Sequence, residues 1–312
     1  MLLSMGPKQS WIIFFIILNI GLYPLVSIGQ NVANVMTAFE GLNSNPELIS
    51  IKNNIDIPAE NGHFQGVQLI RRNTKEKLIV SGSSKTEAYL LQIDLASKKT
   101  ETLIRLMGDP YRHAGGIQIS NPYLIVGIED NILKTTSKVC LYPYRDERFY
   151  KALPSITIER TGKPKHKTAG ATGLLNMDDH YLAVVANWDS RNWDFYNIDP
   201  VQRTQQLVTS FAVPEDWGSY QSVNLIKDKN AIYAIGFYSK NKLGYADLIL
   251  VRNLSSKELI MEKMGTKTFA SKNKVDFNAA VGLQVDPQGQ LYIWATQTNP
   301  EKKIHINKYT SQ

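Results

Sequence analysis

One short segment recurs five times along this 312-residue sequence, and each copy is followed by further apolar runs of strand length. Together these predict an all-β fold, a five-bladed β-propeller of four-stranded antiparallel blades whose last blade is closed by an N-terminal strand. Composition agrees: 43% hydrophobic and 20% charged residues are globular values, and 15 Tyr and 5 Trp suit pleated surfaces.

The recurring segment begins at His63, His113, Thr168, Ser219 and Phe277 and runs for seven residues. Its fourth place is always small: Gly66, Gly116, Ala171, Ser222, Ala280. Innermost propeller strands crowd about an axis where backbones approach closely, so bulk is penalised there. Second runs at 78–80, 124–126, 182–185, 232–235 and 291–294 are continuously apolar, as strands buried on both faces are. Third runs at 88–94, 139–142, 194–198, 246–251 and 304–309 alternate with polar residues, which indicates one more exposed face. Fourth runs follow at 102–106, 155–158, 206–211 and 259–263. The fifth copy ends at Gln312 with no room for one, and the segment 48–57 supplies it, so the chain termini meet and the sheet edges are closed.

Three spans result: a signal peptide at 1–29, a leader at 30–46 and the propeller domain at 47–312. Lys8 precedes an apolar run from Trp11 to Val26, and Ser27 and Gly29 are the small residues that cleavage before Gln30 requires. An uncleaved anchor is the competing reading, although Asn19, Gly21 and Pro24 interrupt the run. A secreted or periplasmic monomer is expected, with no membrane span once the signal is cleaved. Within the leader, Val32, Val35, Met36 and Phe39 have the spacing of a short amphipathic helix, and an ordinary flexible leader fits equally well. Cys140 is alone in an apolar run, so a buried core residue is expected and a disulfide framework is excluded. The formal charge of +7 is spread over lysines in turns, without the aromatic-interleaved basic stretch that nucleic acid would need.

The segments His63-Phe-Gln-Gly-Val-Gln and His113-Ala-Gly-Gly-Ile-Gln resemble the inner-strand motif of a secreted, five-bladed β-propeller repeat family. That resemblance implies the fold and is silent on activity. The Trp-Asp pairs at 188–189 and 193–194 flank a turn after a second strand, unlike WD repeats, and a double glycine occurs only at 115–116, which does not support kelch repeats.

His63 and His113 hold equivalent places in consecutive repeats, so a propeller brings them to neighbouring points at one mouth of its channel. They could bind a divalent metal with Glu129 and Asp189, hold a polar ligand, or simply cap their strands. Gln65, Gln221 and Asn278 add amides to the same opening, and Trp188 offers an aromatic face of the kind sugar sites use. The expected function is an exported binding module for a small polar ligand, a glycan or a protein, with either no cofactor or one divalent metal. The alternatives are a metal-assisted hydrolase, or a glycoside hydrolase drawing loop carboxylates from Glu60, Glu129, Asp189 and Asp276.

Overall fold

The computed structural model describes residues 32–311 apart from 59, 73–74, 145–152 and 255–257, so the signal-peptide span lies outside the described residues. The chain opens with helix α1 (Val35–Glu40) and strand β1 (Glu47–Lys52). Four antiparallel runs follow in order. The first is β2 (His63–Arg72), β3 (Lys75–Ser83), β4 (Glu87–Asp94) and β5 (Lys99–Gly108). The second is β6 (Tyr111–Ser120), β7 (Tyr123–Asp130), β8 (Thr136–Pro143) and β9 (Ile156–Thr161). The third is β10 (Ala171–Asn176), β11 (Tyr181–Ala186), β12 (Asn192–Asp199) and β13 (Thr204–Ala212). The fourth is β14 (Ser222–Lys227), β15 (Ile232–Lys240), β16 (Leu243–Arg252) and β17 (Ile260–Ala270).

The chain ends with β18 (Val281–Val285), β19 (Leu291–Thr296) and β20 (Lys303–Thr310), and β1 pairs with β20 from Glu47↔Lys308 to Lys52↔Lys303. The N-terminal strand therefore completes the C-terminal sheet, as the sequence predicts. It is shorter than the 48–57 expected because Asn53 caps its end, its side chain accepting from Ile55 N at 3.1 Å and from Thr100 Oγ1 at 3.0 Å. Such local side-chain bonding competes with the ladder. Single parallel bridges, Val281↔Gly66 and Lys52↔Lys99, join this sheet to β2–β5 into a near-barrel, and Ala171↔Gly116 joins β6 to β10.

Strand character follows position. Inner strand β18 is buried at every position, whereas outer β9 alternates between buried and more exposed residues and β13 is largely exposed. Apolar side chains of adjacent runs pack face to face, for example Ile70 and Ile79 against Ile117, Leu124 and Val126. Cys140 is buried and free, as expected. The leader is helical at α1, capped by Asn34, whose side chain accepts from Thr37 N at 2.9 Å. Val35 and Phe39 sink into the cluster holding Ile226, Phe237 and Leu283, so this segment packs on the propeller.

The axis is filled. Gln118 Oε1 accepts from Leu174 N at 2.8 Å and Leu225 N at 2.7 Å while its Nε2 donates to Leu225 O at 2.7 Å. Asn224 Oδ1 accepts from Leu283 N at 2.6 Å and from Gln68 Nε2 at 3.2 Å. These buried amides occupy the sixth place of the recurring segment, and the remaining copies carry Gly173 and Gly282 there. The amides cross to backbone groups of other inner strands, and the glycines leave the room they cross into. A ligand must therefore enter at a mouth rather than thread the channel.

Candidate functional site

The inner strands all start at one end of the axis, and there the structure assembles His63, His113, Trp188 and Glu129. The imidazoles of His63 and His113 lie 5.0 Å apart between ring centroids, and the indole of Trp188 is 5.9 Å from His113. Glu129, at the end of β7, places Oε1 3.7 Å from His113 Nε2, and its Oε2 accepts from Ala169 N at 2.7 Å. His63 is half-buried, with Nδ1 3.1 Å from Ser83 Oγ. His113 and Glu129 are fully enclosed, and His113 Nδ1 and Glu129 Oε1 have no hydrogen-bond partner.

Burial governs the charge of this cluster. Desolvation, with the nearby charges of His63 and Lys134 adding to it, drives His113 down to about 3, so the ring is neutral at physiological pH. Burial lifts Glu129 to about 7 against the opposing pull of the Ala169 amide, Arg160 and Lys134. Desolvation also lowers His63, partly offset by a backbone contact with Asn61. With its folded value above its ordinary value of 4.5, ionisation of Glu129 costs stability as pH rises from about 4.5 through about 7. Glu129→Gln is therefore expected to match the wild type near pH 4 and exceed it by roughly 3 kcal/mol at pH 8. Urea unfolding at the two pH values reads this directly.

Trp188 is held by its neighbours. Its backbone N–H donates to Thr168 Oγ1 at 2.6 Å, and Asn187 ties the turn together by donating to Lys165 O at 2.8 Å and accepting from Asn192 N at 2.8 Å. Arg160 donates to Thr168 O and, at 2.7 Å, to Asp194 Oδ2, which also receives Lys167 at 2.8 Å. Burial acts to raise Asp194, but its bonds from Lys167, Ser210 and Arg160 outweigh that and hold it below the ordinary carboxylate range. This anchored pair fixes the loop on which Trp188 stands.

The other expected residues fall elsewhere. Asp189 occupies the exposed turn three residues beyond β11, with φ 32° and a carboxylate 3.9 Å from Lys165, whereas Glu129 is still within its strand, so the two do not share a rim position. Among the described residues no three His, Cys, Asp or Glu side chains converge as a metal-ligand group. Gln65 is buried at the bulge between Phe64 and Gly66 rather than offered to the opening. Gln221 and Asn278 line a groove of about 500 Å³ with Trp217, Tyr238 and Lys240. Ser219, which also lines it, donates to Asp189 O at 3.4 Å, so the groove adjoins the turn that carries Trp188. Glu60 is exposed and paired with Lys85 at 2.7 Å, and Asp276 accepts from Ser239 Oγ at 2.5 Å.

Lys134 is the member of this site that the sequence does not reveal. Its Nζ lies 3.7 Å from the Trp188 ring centroid, a cation–π contact formed by a loop residue far from any repeat motif.

No family model and no curated protein matches the chain. Solved structures do resemble it. An exo-β-1,3-galactanase from Phanerochaete chrysosporium aligns with TM-score 0.50 and 9% identity, over 85% of this chain and 63% of that one. The chain thus spans less than two thirds of that enzyme's length. A GH43 endo-arabinanase from Bacillus licheniformis gives 0.51 and 13%, over 81% and 96% of the two chains. The catalytic domain of a GH62 α-L-arabinofuranosidase from Coprinopsis cinerea gives 0.53 and 8%, over 86% and 98%. At these identities the likeness is one of fold, an all-β propeller, and it lies with glycoside hydrolases rather than with the secreted repeat family that the inner-strand motif resembles.

Proposed function

We propose that this chain is an exported five-bladed β-propeller that engages a glycan at the mouth formed by His63, His113 and Trp188, with the groove of Gln221 and Asn278 as its continuation. The observation that carries the reading is the indole of Trp188 beside two neutral-leaning imidazoles at the start of the inner strands. Aromatic faces pack on the apolar patches of sugars while imidazole and amide groups bond their hydroxyls. The strand runs β2–β5, β6–β9, β10–β13, β14–β17 and β18–β20 with β1 support the blade count. The fold likeness to a galactanase, an arabinanase and an arabinofuranosidase supports a glycan over a protein or other small ligand.

The same likeness favours the glycoside-hydrolase alternative over a module that only binds. Glycoside cleavage uses a proton donor and a second carboxylate, about 5–9.5 Å apart across the bond. Glu129 has the raised proton affinity of a donor and stands beside the mouth, its Oε1 3.7 Å from His113 Nε2. Isothermal titration of arabino- and β-1,3-galacto-oligosaccharides tests binding, and release of reducing sugar tests cleavage. Trp188→Ala is expected to weaken binding by about tenfold or more, the effect of losing a central aromatic contact. Unchanged affinity in that variant would remove Trp188 from the site. Reducing-sugar release that Glu129→Gln abolishes would establish the hydrolase, and binding without release would establish a glycan receptor.

A further inference from the structure

We propose that the glycan taken at this mouth is acidic, carrying sugar carboxylates, and that Lys134 is their charge partner; the inference rests on the glycan reading above. Lys134 is fixed in place rather than free on the surface. Its backbone has φ 57°, its N–H donates to Asp130 O at 3.0 Å, and its carbonyl accepts from Lys165 N at 2.7 Å. Asp130 Oδ1 holds the preceding turn by accepting from Ile132 N at 2.9 Å and Leu133 N at 3.0 Å. A further bond, Gly162 N to Thr135 O at 3.0 Å, joins the 131–135 loop to the 162–167 loop. The two loops form one rim beside Trp188.

That rim carries a surplus of positive charge. Lys134, Lys163, Lys165 and Lys167 stand on it. Against them are Asp194, which is buried and already receives Arg160 and Lys167, and Asp189, whose contact with Lys165 is 3.9 Å and exposed. Lys134 forms no ion pair with a described carboxylate; of the two acids that end β7, Glu129 is enclosed and held towards its neutral form by burial, and Asp130 is buried with its carboxylate accepting from Ile132 N and Leu133 N. An ammonium resting on an indole is dry on its ring side and keeps donors for a ligand on the other. A sugar seated beside Trp188, against the outer side of this ammonium, would place a ring carboxylate within reach of it, and a charge-assisted bond is about twice as strong as a neutral one. His113 Nδ1, enclosed and without a partner, adds an uncharged polar atom at the same place. A neutral sugar would leave Lys134 uncompensated.

The test compares oligogalacturonides with neutral galacto-oligosaccharides of equal length, titrated into the wild type, Lys134→Gln and Lys134→Arg, with poly-glutamate as a polyanion that carries no sugar. The expected result is binding of the acidic oligosaccharide at least tenfold tighter than the neutral one. That preference should fall about tenfold in Lys134→Gln and be retained in Lys134→Arg, with poly-glutamate binding far more weakly than either sugar. Equal affinity for acidic and neutral oligosaccharides would overturn the inference and leave the glycan reading standing. So would a preference that Lys134→Gln leaves intact, or poly-glutamate binding as tightly as the acidic sugar. Absence of binding to both oligosaccharides would overturn the glycan reading together with the inference.

Discussion

Replacing Gly282 with alanine is expected to cost at least about 3 kcal/mol of stability, and more than any other single methyl group added to the inner strands. A Cβ on Gly282 would stand 1.7 Å from Val67 O and 2.4 Å from Gln68 Nε2. The first neighbour is backbone, so no rotamer change relieves the overlap. Gly282 also adjoins Val281, whose bridge to Gly66 joins the C-terminal sheet to the first run. The strands would have to part where the ring closes. At Gly265 the same change meets nothing within 4 Å and serves as the control. Chemical denaturation of the two variants measures the difference, and equal midpoints would show that β18 and β2 are not packed as described.

The second large effect lies on the same axis. Gln118→Leu keeps the approximate volume but removes the acceptor for Leu174 N and Leu225 N, both buried. Each stranded donor costs about 1–3 kcal/mol, so a loss of roughly 2–5 kcal/mol is expected. Gln118→Glu separates polarity from shape: it retains an acceptor but loses the N–H that bonds Leu225 O. It would also bury an ionisable carboxyl. Its stability should therefore recover at low pH, where the carboxyl is neutral, whereas that of the leucine variant should not. Thermal melts at pH 4 and pH 8 distinguish these outcomes.

These two sites show how far the repeat could be read. The small residue at the fourth place is legible because close approach excludes bulk at every copy, and the structure gives the reason at Gly116, where an added Cβ would meet Gln221 O at 2.9 Å. The sixth place, Gln68, Gln118, Gly173, Asn224 and Gly282, stands in the same alignment, yet its mixture of amides and glycines makes sense only once the amides are seen to cross the axis. No one residue type holds the place in all five copies, so similarity between copies conceals it. The permuted closure by β1 was legible because the last copy lacks a fourth run and an unassigned strand precedes the first.

The site was legible in part. Equivalent repeat positions bring His63 beside His113, and adjacent repeats bring Trp188 to them. Glu129 and Asp189 look equivalent along the sequence, but β7 runs on through Asp130 while β11 stops at Ala186, so one acid stays in the wall and the other turns outward. Lys134 reaches Trp188 through a turn set by the Asp130 side chain, a contact that periodicity does not encode. Gln65 follows the repeat yet is diverted by a bulge, which shifts side-chain direction without changing composition.

The most direct test of glycan engagement at this mouth is a crystal structure of the protein soaked with oligogalacturonide and, separately, with arabino-oligosaccharide. The account predicts a sugar ring at Trp188 within hydrogen-bond distance of His63 or His113, with the chain running toward Gln221 and Asn278. Sugar bound elsewhere on the propeller, with Trp188 and Lys134 unchanged from their contact in the free protein, would contradict it.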